Sequence, residues 1–360
     1  MPIPWLSVSA LVAGIKRIPL INVGAVAAVV VAGAVLVAKN GEGHEARYLL
    51  NVSYDPTREL YHAINPRFVA NYEKETDSSV GIKQSHAGSS YQAKRVATGE
   101  EPADVVTLGL PSDVEALHNK GLIADGWEKR LPNRSRPYNS TIVFVVRSGN
   151  PHAIRDWPDL VKGDIEIIVP DPKTSGNGKL AALAAWGAIV TRGGTESEAR
   201  AYLKALYSHA PFLDPAARSA GVAFSVEKKG DVQLAWENEA LRETEASKGQ
   251  VEIVYPPISI RGEPAVAWVD TNVVKHNSAS LARAYLEFLF TDEAQEIIAR
   301  EGYRPFNAQI LEKHADRLPK IDLFPITAIA SDWTEAQRRF FGDNGIIDAV
   351  YAPKPRKEGD

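Results

Sequence analysis

The stretch Pro170-Asp171-Pro172-Lys173-Thr174-Ser175-Gly176-Asn177-Gly178-Lys179 constrains the fold more than any other. An Ile- and Val-rich run, 165–169, precedes it, and an Ala- and Leu-rich run containing Trp186 follows it. That order predicts a buried strand, a Gly-rich loop and the start of a helix. A chain built this way sets a strand's carboxyl end beside a helix N-terminus, the repeating junction of α/β proteins. Such a junction offers free backbone N–H groups and the positive end of a helix dipole, so it suits an anion.

The same alternation recurs along the chain. Residues 48–53 read as a strand, followed by Asp55 as a helix N-cap and Pro56 at the first helical position. Leu60, Ile64, Phe68 and Tyr72 recur every four residues, which marks an amphipathic helix. Next come a strand at 80–85, a small-residue turn at 86–90, and a helix from about Tyr91 to Thr98. A strand at 104–108 precedes a helix at 111–121 that stops at Gly121. The continuous β-branched run 141–146 predicts a strand covered on both faces. Helices are expected at 196–208, 281–290, 293–299 and, last, 333–341; strands at 232–236, 251–260 and 265–269; and irregular chain at 212–221. The charged, Pro-containing tail after Tyr351 is expected to be disordered. The fold class is therefore α/β with largely parallel sheets. Ligands of such sheets bind beyond the strands' carboxyl ends, where the turns at Asp55, Ser89 and Ser175 and the strand end at Trp236 all fall.

At the N-terminus, Lys16 and Arg17 precede an uncharged run, 18–38. Its length suits a signal peptide or a membrane anchor, and the basic residues on its N-terminal side direct the remainder out of the cytoplasm. Gly24 and Gly33 interrupt the run and no face is polar, which argues against a buried core helix. Residues 1–47 are thus read as signal peptide or anchor, and the rest as periplasmic or extracytoplasmic. A net charge of −4 gives no general attraction for nucleic acid. The absence of cysteine excludes disulfides, thiolate metal sites and a Cys nucleophile. The eight histidines lack metal-site spacing, so no metal or cofactor is expected. The basic run Lys129, Arg130, Arg134 and Arg136 lies among prolines and reads as a solvated loop near a crossover between lobes. Glu237 and Glu239 read as structural hydrogen-bonding groups around Trp236, because nothing nearby completes an acid–base site.

Five stretches, in matching order, closely resemble the sulfate-binding proteins, the extracytoplasmic receptors of ATP-driven sulfate/thiosulfate importers. They are Leu50-Asn51-Val52-Ser53-Tyr54-Asp55-Pro56-Thr57-Arg58-Glu59-Leu60-Tyr61, Ala103-Asp104-Val105-Val106-Thr107-Leu108, residues 170–176, Ala235-Trp236-Glu237-Asn238-Glu239-Ala240 and Gly302-Tyr303-Arg304-Pro305-Phe306-Asn307. The resemblance runs from about residue 48 to about 345. It implies a two-lobed periplasmic-binding-protein-like fold of type II, each lobe a mixed or parallel sheet flanked by helices, with a hinge between them. Lobe 1 would be 48–139 plus 254–321, lobe 2 would be 140–253, and 322–360 would be a C-terminal helix and tail.

The resemblance also implies the ligand and its donors. Sulfate, or thiosulfate, would be held by the backbone N–H groups of Asp55 and Ser89 from the first lobe. The second lobe would supply the Ser175 hydroxyl, the N–H groups of Gly176, Asn177 and Ala217, and the Trp236 indole. Ala217 lies 19 positions before Trp236, in agreement with the family spacing. Asn177 replaces a second Gly of the family pattern, and a left-handed backbone there would keep its N–H on the anion. Ala87 and Ser90 replace glycines around Ser89, and 219–229 diverges.

Sulfate only accepts hydrogen bonds, so a pocket made of donors alone would reject protonated phosphate. Neither Asp55 nor Glu237 should then turn a carboxylate to the ligand. The expected partners are the permease subunits of an importer, with the receptor itself a monomer. The alternatives are a receptor for molybdate, tungstate or phosphate, and a phosphate or sulfate ester hydrolase with Ser175 as nucleophile. The hydrolase needs a base and a cation beside Ser175, and no motif supplies either.

Overall fold

A computed structural model describes residues 47–211 and 213–351. The expected signal or anchor segment up to residue 46, Phe212 and the tail after Tyr351 lie outside the described residues. The main strands follow in chain order: β1 (Arg47–Tyr54), β2 (Val80–Ala87), β3 (Val105–Leu108), β4 (Ile142–Arg147), β5 (Ile167–Pro170), β6 (Leu213–Asp214), β7 (Val232–Trp236), β8 (Val251–Val254) and β9 (Ala265–Trp268).

Two sheets result. The first has the order β9-β3-β1-β2. In it β1 runs parallel to both neighbours, and β9 runs antiparallel to β3. The second has the order β6-β5-β7-β4-β8. There β5 is parallel to β6 and β7, whereas β4 is antiparallel to β7 and β8. Every residue of β3 is buried, and so is every residue of β4 except Arg147. Helices on both faces account for this, and the unbroken apolar run 141–146 is the sequence form of that burial.

The chain passes between the sheets at paired segments. Ser140 and Gly262 exchange backbone hydrogen bonds of 3.0 and 2.8 Å. The Thr141 hydroxyl donates to the Ile260 carbonyl at 2.7 Å, and Ser259 donates to that of Ile142 at 2.9 Å. The expected strand 251–260 is broken at Tyr255-Pro256-Pro257. Proline has no N–H for a ladder, so β8 ends in the second sheet, and Ile258–Ile260 pairs instead with Asp322–Phe324. The helix expected last, at 333–341, is followed by a further one, Ile346–Val350, whose Ile346, Ile347 and Val350 are buried. Tyr351 then packs against Tyr207 with ring centroids 5.4 Å apart. A short apolar turn of five residues carries too little periodicity to be read from sequence.

Candidate functional site

The residues expected to bind the ligand fall at five strand–helix junctions. After β1, Tyr54 caps a 3-10 turn, Asp55–Thr57, that continues into α1 (Arg58–Thr76). After β2, Gly88 caps α2 (Ser89–Thr98). Downstream of β5, Ser175 caps α3 (Gly176–Val190), and its hydroxyl accepts the Gly178 N–H at 3.5 Å. Ala216 caps the short helix Ala217–Gly221. Trp236, the last residue of β7, caps α4 (Glu237–Ser247). Asp55, Ser89, Gly176 and Ala217 are each the first residue of a helical segment, and Asn177 is the second of its own. N–H groups of a first turn have no acceptor within the helix. The backbone donors predicted from sequence therefore share one structural property.

The fold brings these turns together. A Cβ on Gly176 would lie 3.2 Å from the Ser89 Cβ, so the α2 and α3 N-termini touch. A Cβ on Gly88 would lie 2.6 Å from the Thr174 carbonyl oxygen, and only glycine permits that approach. The Arg218 N–H donates to the Asp55 carboxylate at 3.1 Å, which sets Ala217 beside the β1 turn. The Tyr54 ring packs on Trp236 at 5.7 Å. Trp236 itself is fully buried, and its indole N–H has no hydrogen-bond partner among the described residues. A buried N–H donor without a partner is costly, and this one belongs to the residue that caps α4 and packs on Tyr54, the cap of the turn at Asp55.

Several local expectations change. Asp55 is not an N-cap: its carboxylate accepts from the Arg218 N–H and pairs with Arg58 at 3.3 Å. The helix expected from Tyr91 begins two residues earlier, at Ser89, whose hydroxyl donates to Asp113 at 2.6 Å and accepts the Gly109 N–H at 2.9 Å. Asn177 needs no left-handed backbone, because it lies inside α3; its side-chain amide donates to the Leu234 carbonyl at 2.9 Å. The region 212–221 contains β6 and the Ala217–Gly221 helix rather than irregular chain alone. The basic run is not simply solvated. Arg136 is buried and pairs with Glu128 and Glu263, while Arg130 pairs with Asp270.

Charged groups around the site are paired with one another. Glu237 is fully buried and takes two 2.7 Å hydrogen bonds from Arg304. Burial pushes its carboxyl up, and Arg304 pulls it back. Two residues that the sequence did not single out sit behind Ser89. Lys179 of α3 and Asp113, both buried, form a 3.0 Å ion pair, and the same carboxylate accepts from Ser89 and Ser90. Their 66-residue separation left no local signal for the pair.

Glu239 is also buried, beneath Arg218 and Arg242. Burial pushes its carboxyl up to about 8 against the pull of both arginines. The folded state thus keeps a proton that the unfolded chain loses near pH 4.5. The stability linked to this proton is complete below that pH and is lost as pH rises through about 8. Compared with Glu239→Gln, the native chain should lose melting temperature between pH 5 and 8, with the gap level above that range. A gap independent of pH would contradict the assignment.

Known proteins match this arrangement. Residues 57–304 match the family described as bacterial extracellular solute-binding protein. The thiosulfate-binding protein of Pseudomonas aeruginosa is 44% identical over 88% of this chain and 96% of its own length. The sulfate-binding protein of Salmonella typhimurium is 46% identical over 84% of this chain and 92% of its own. The solved structure of the sulfate-binding protein SubI from Mycobacterium tuberculosis superposes with a TM-score of 0.75 at 29% identity, covering 82% of this chain and 99% of that one.

Proposed function

Because the chain belongs to the bacterial extracellular solute-binding proteins, within the sulfate- and thiosulfate-binding group, we propose that its cleft holds the anion with uncharged donors alone. The protein is a two-lobed receptor that captures sulfate or thiosulfate for an ATP-driven importer, and it is not a catalyst. The proposed donors are the N–H groups of Asp55, Ser89, Gly176, Asn177 and Ala217, the Ser175 hydroxyl and the Trp236 indole. What carries this reading is the buried indole N–H of Trp236, which has no partner among the described residues. Sulfate supplies the acceptors that the donors lack. Ser175 can give its proton to the ligand while still accepting the Gly178 N–H, since a hydroxyl is both donor and acceptor. The Asp55 and Glu237 carboxylates have partners in Arg218, Arg58 and Arg304, so neither is left free to accept from protonated phosphate. Sulfate addition should change the tryptophan fluorescence of the native chain, and Trp236→Phe should abolish that change; an identical change in both would remove Trp236 from the site.

The lobes are assigned as 48–139 plus 254–321 and as 140–253, with 322–360 as a C-terminal helix and tail. Residues 1–46 are assigned to export or anchoring, because Arg47, counted with them from sequence, already pairs with Val80 in the first sheet; the receptor works as a monomer with a membrane permease. Among the described residues no helix is long and apolar enough to cross a membrane. Ligand shifts the lobes from open to closed. Gly88 lies at the line of closure, against backbone that cannot rotate away. Gly88→Ala should therefore weaken sulfate binding about tenfold or more by penalising the closed form. Its melting temperature without ligand should stay unchanged, and native affinity in this variant would contradict closure at Gly88.

A further inference from the structure

We infer that Gly262 is a positioning residue that seats the Trp236 indole against the crossover between the sheets; this rests on the receptor reading above. Gly262 and Ser140 hold the two crossing segments side by side. The Gly262 N–H donates to the Ser140 carbonyl at 2.8 Å, and the Ser140 N–H donates back at 3.0 Å. Gly262 does not lie in the left-handed region, so no left-handed turn calls for glycine here. Space does. A Cβ on Gly262 would lie 2.7 Å from Cζ3 of Trp236, 2.7 Å from Cδ2 of Leu180 and 3.1 Å from the Ser140 carbonyl oxygen. Any side chain at 262 would therefore push its neighbours aside in a close-packed interior.

The neighbour that matters is Trp236. The backbone on either side of this contact is tied, so it cannot drift to relieve a push. Trp236 pairs with Ile142 in the second sheet, and the Glu237 N–H donates to the Thr141 carbonyl at 3.0 Å. The Thr141 hydroxyl in turn holds the Ile260 carbonyl, two residues before Gly262. Leu180, fully buried in α3, can turn a terminal methyl aside. The indole is rigid, fully buried and packed on the Tyr54 ring. A push at Cζ3 thus turns the indole as a whole and moves its N–H. Hydrogen bonds weaken steeply as donors lose alignment, so glycine at 262 keeps the N–H aimed at the anion without touching it.

The test is calorimetric titration with sulfate of the native chain, Gly262→Ala, Trp236→Phe and the double variant. Phenylalanine lacks both the indole N–H and Cζ3, the atom that meets Gly262. Gly262→Ala should weaken sulfate binding about tenfold when Trp236 is present, the low end for a lost hydrogen bond to a charged group. In the Trp236→Phe background the same substitution should change affinity less than about twofold, since no donor is left to misplace. A general loosening of the crossover would instead lower affinity equally in both backgrounds. That result would overturn the inference, as would native affinity in Gly262→Ala. If Gly262→Ala does not fold, Leu180→Ala is added to all four chains; this removes the second contact, keeps the one on Trp236, and leaves the expected pattern the same. Failure of the native chain to bind sulfate would overturn the receptor reading.

Discussion

Arg304→Met is expected to cost about 3–5 kcal/mol of folding stability, the effect of stranding one charge of a buried ion pair. Glu237 is fully buried at the start of α4, and Arg304 supplies both of its 2.7 Å hydrogen bonds. Methionine fills similar space but offers no donor. The loss should shrink on acidification, because burial already raises the Glu237 carboxyl and removing Arg304 lets it rise further. Urea denaturation at pH 7.5 and pH 5 reads both effects. Adding Glu237→Gln to Arg304→Met should recover much of the loss, since the double variant buries no charge. A single variant as stable as the native chain would mean that the pair does not hold this junction.

Trp236→Phe is the second large effect, and it falls on binding. Phenylalanine keeps an aromatic ring against Tyr54 but removes the indole N–H. A hydrogen bond to a charged group contributes about 1.5–3 kcal/mol, so sulfate affinity should fall about 10- to 100-fold. The fold should survive, because the N–H makes no hydrogen bond within the described protein. The reading to compare is the dissociation constant at equal melting temperature of the ligand-free chains. Affinity unchanged by this substitution would take the indole out of the donor set.

Much of the fold was legible because its signals are local. Residues 165–179 display strand, loop and helix start in consecutive order, and the run 141–146 displays burial on both faces. The resemblance pointed to these turns, whereas their shared placement in first helical turns was not legible from sequence. Ser89 and Ser90 look like loop residues in sequence, yet Asp113 holds both hydroxyls and lets the helix begin there. Asn177 suggested a strained backbone, but a carbonyl of β7 satisfies its side chain inside a regular helix. Asp55 looked like a cap because caps are usually made by Asp; its actual partner, Arg218, lies 163 residues away. Partners this distant have no periodicity to betray them. The pairs Lys179–Asp113, Arg304–Glu237 and Arg218–Glu59 all belong to this class.

The central claim is that a closed pocket of uncharged donors selects a fully ionised oxyanion. Calorimetric titration of the chain from Arg47 onward with sulfate, thiosulfate, molybdate and phosphate at pH 7.5 tests it most directly. The account predicts one tight site for sulfate or thiosulfate, with phosphate bound at least about a hundredfold more weakly because its proton finds no acceptor. Phosphate binding as tightly as sulfate, or no heat of binding from sulfate and thiosulfate alike, would contradict it.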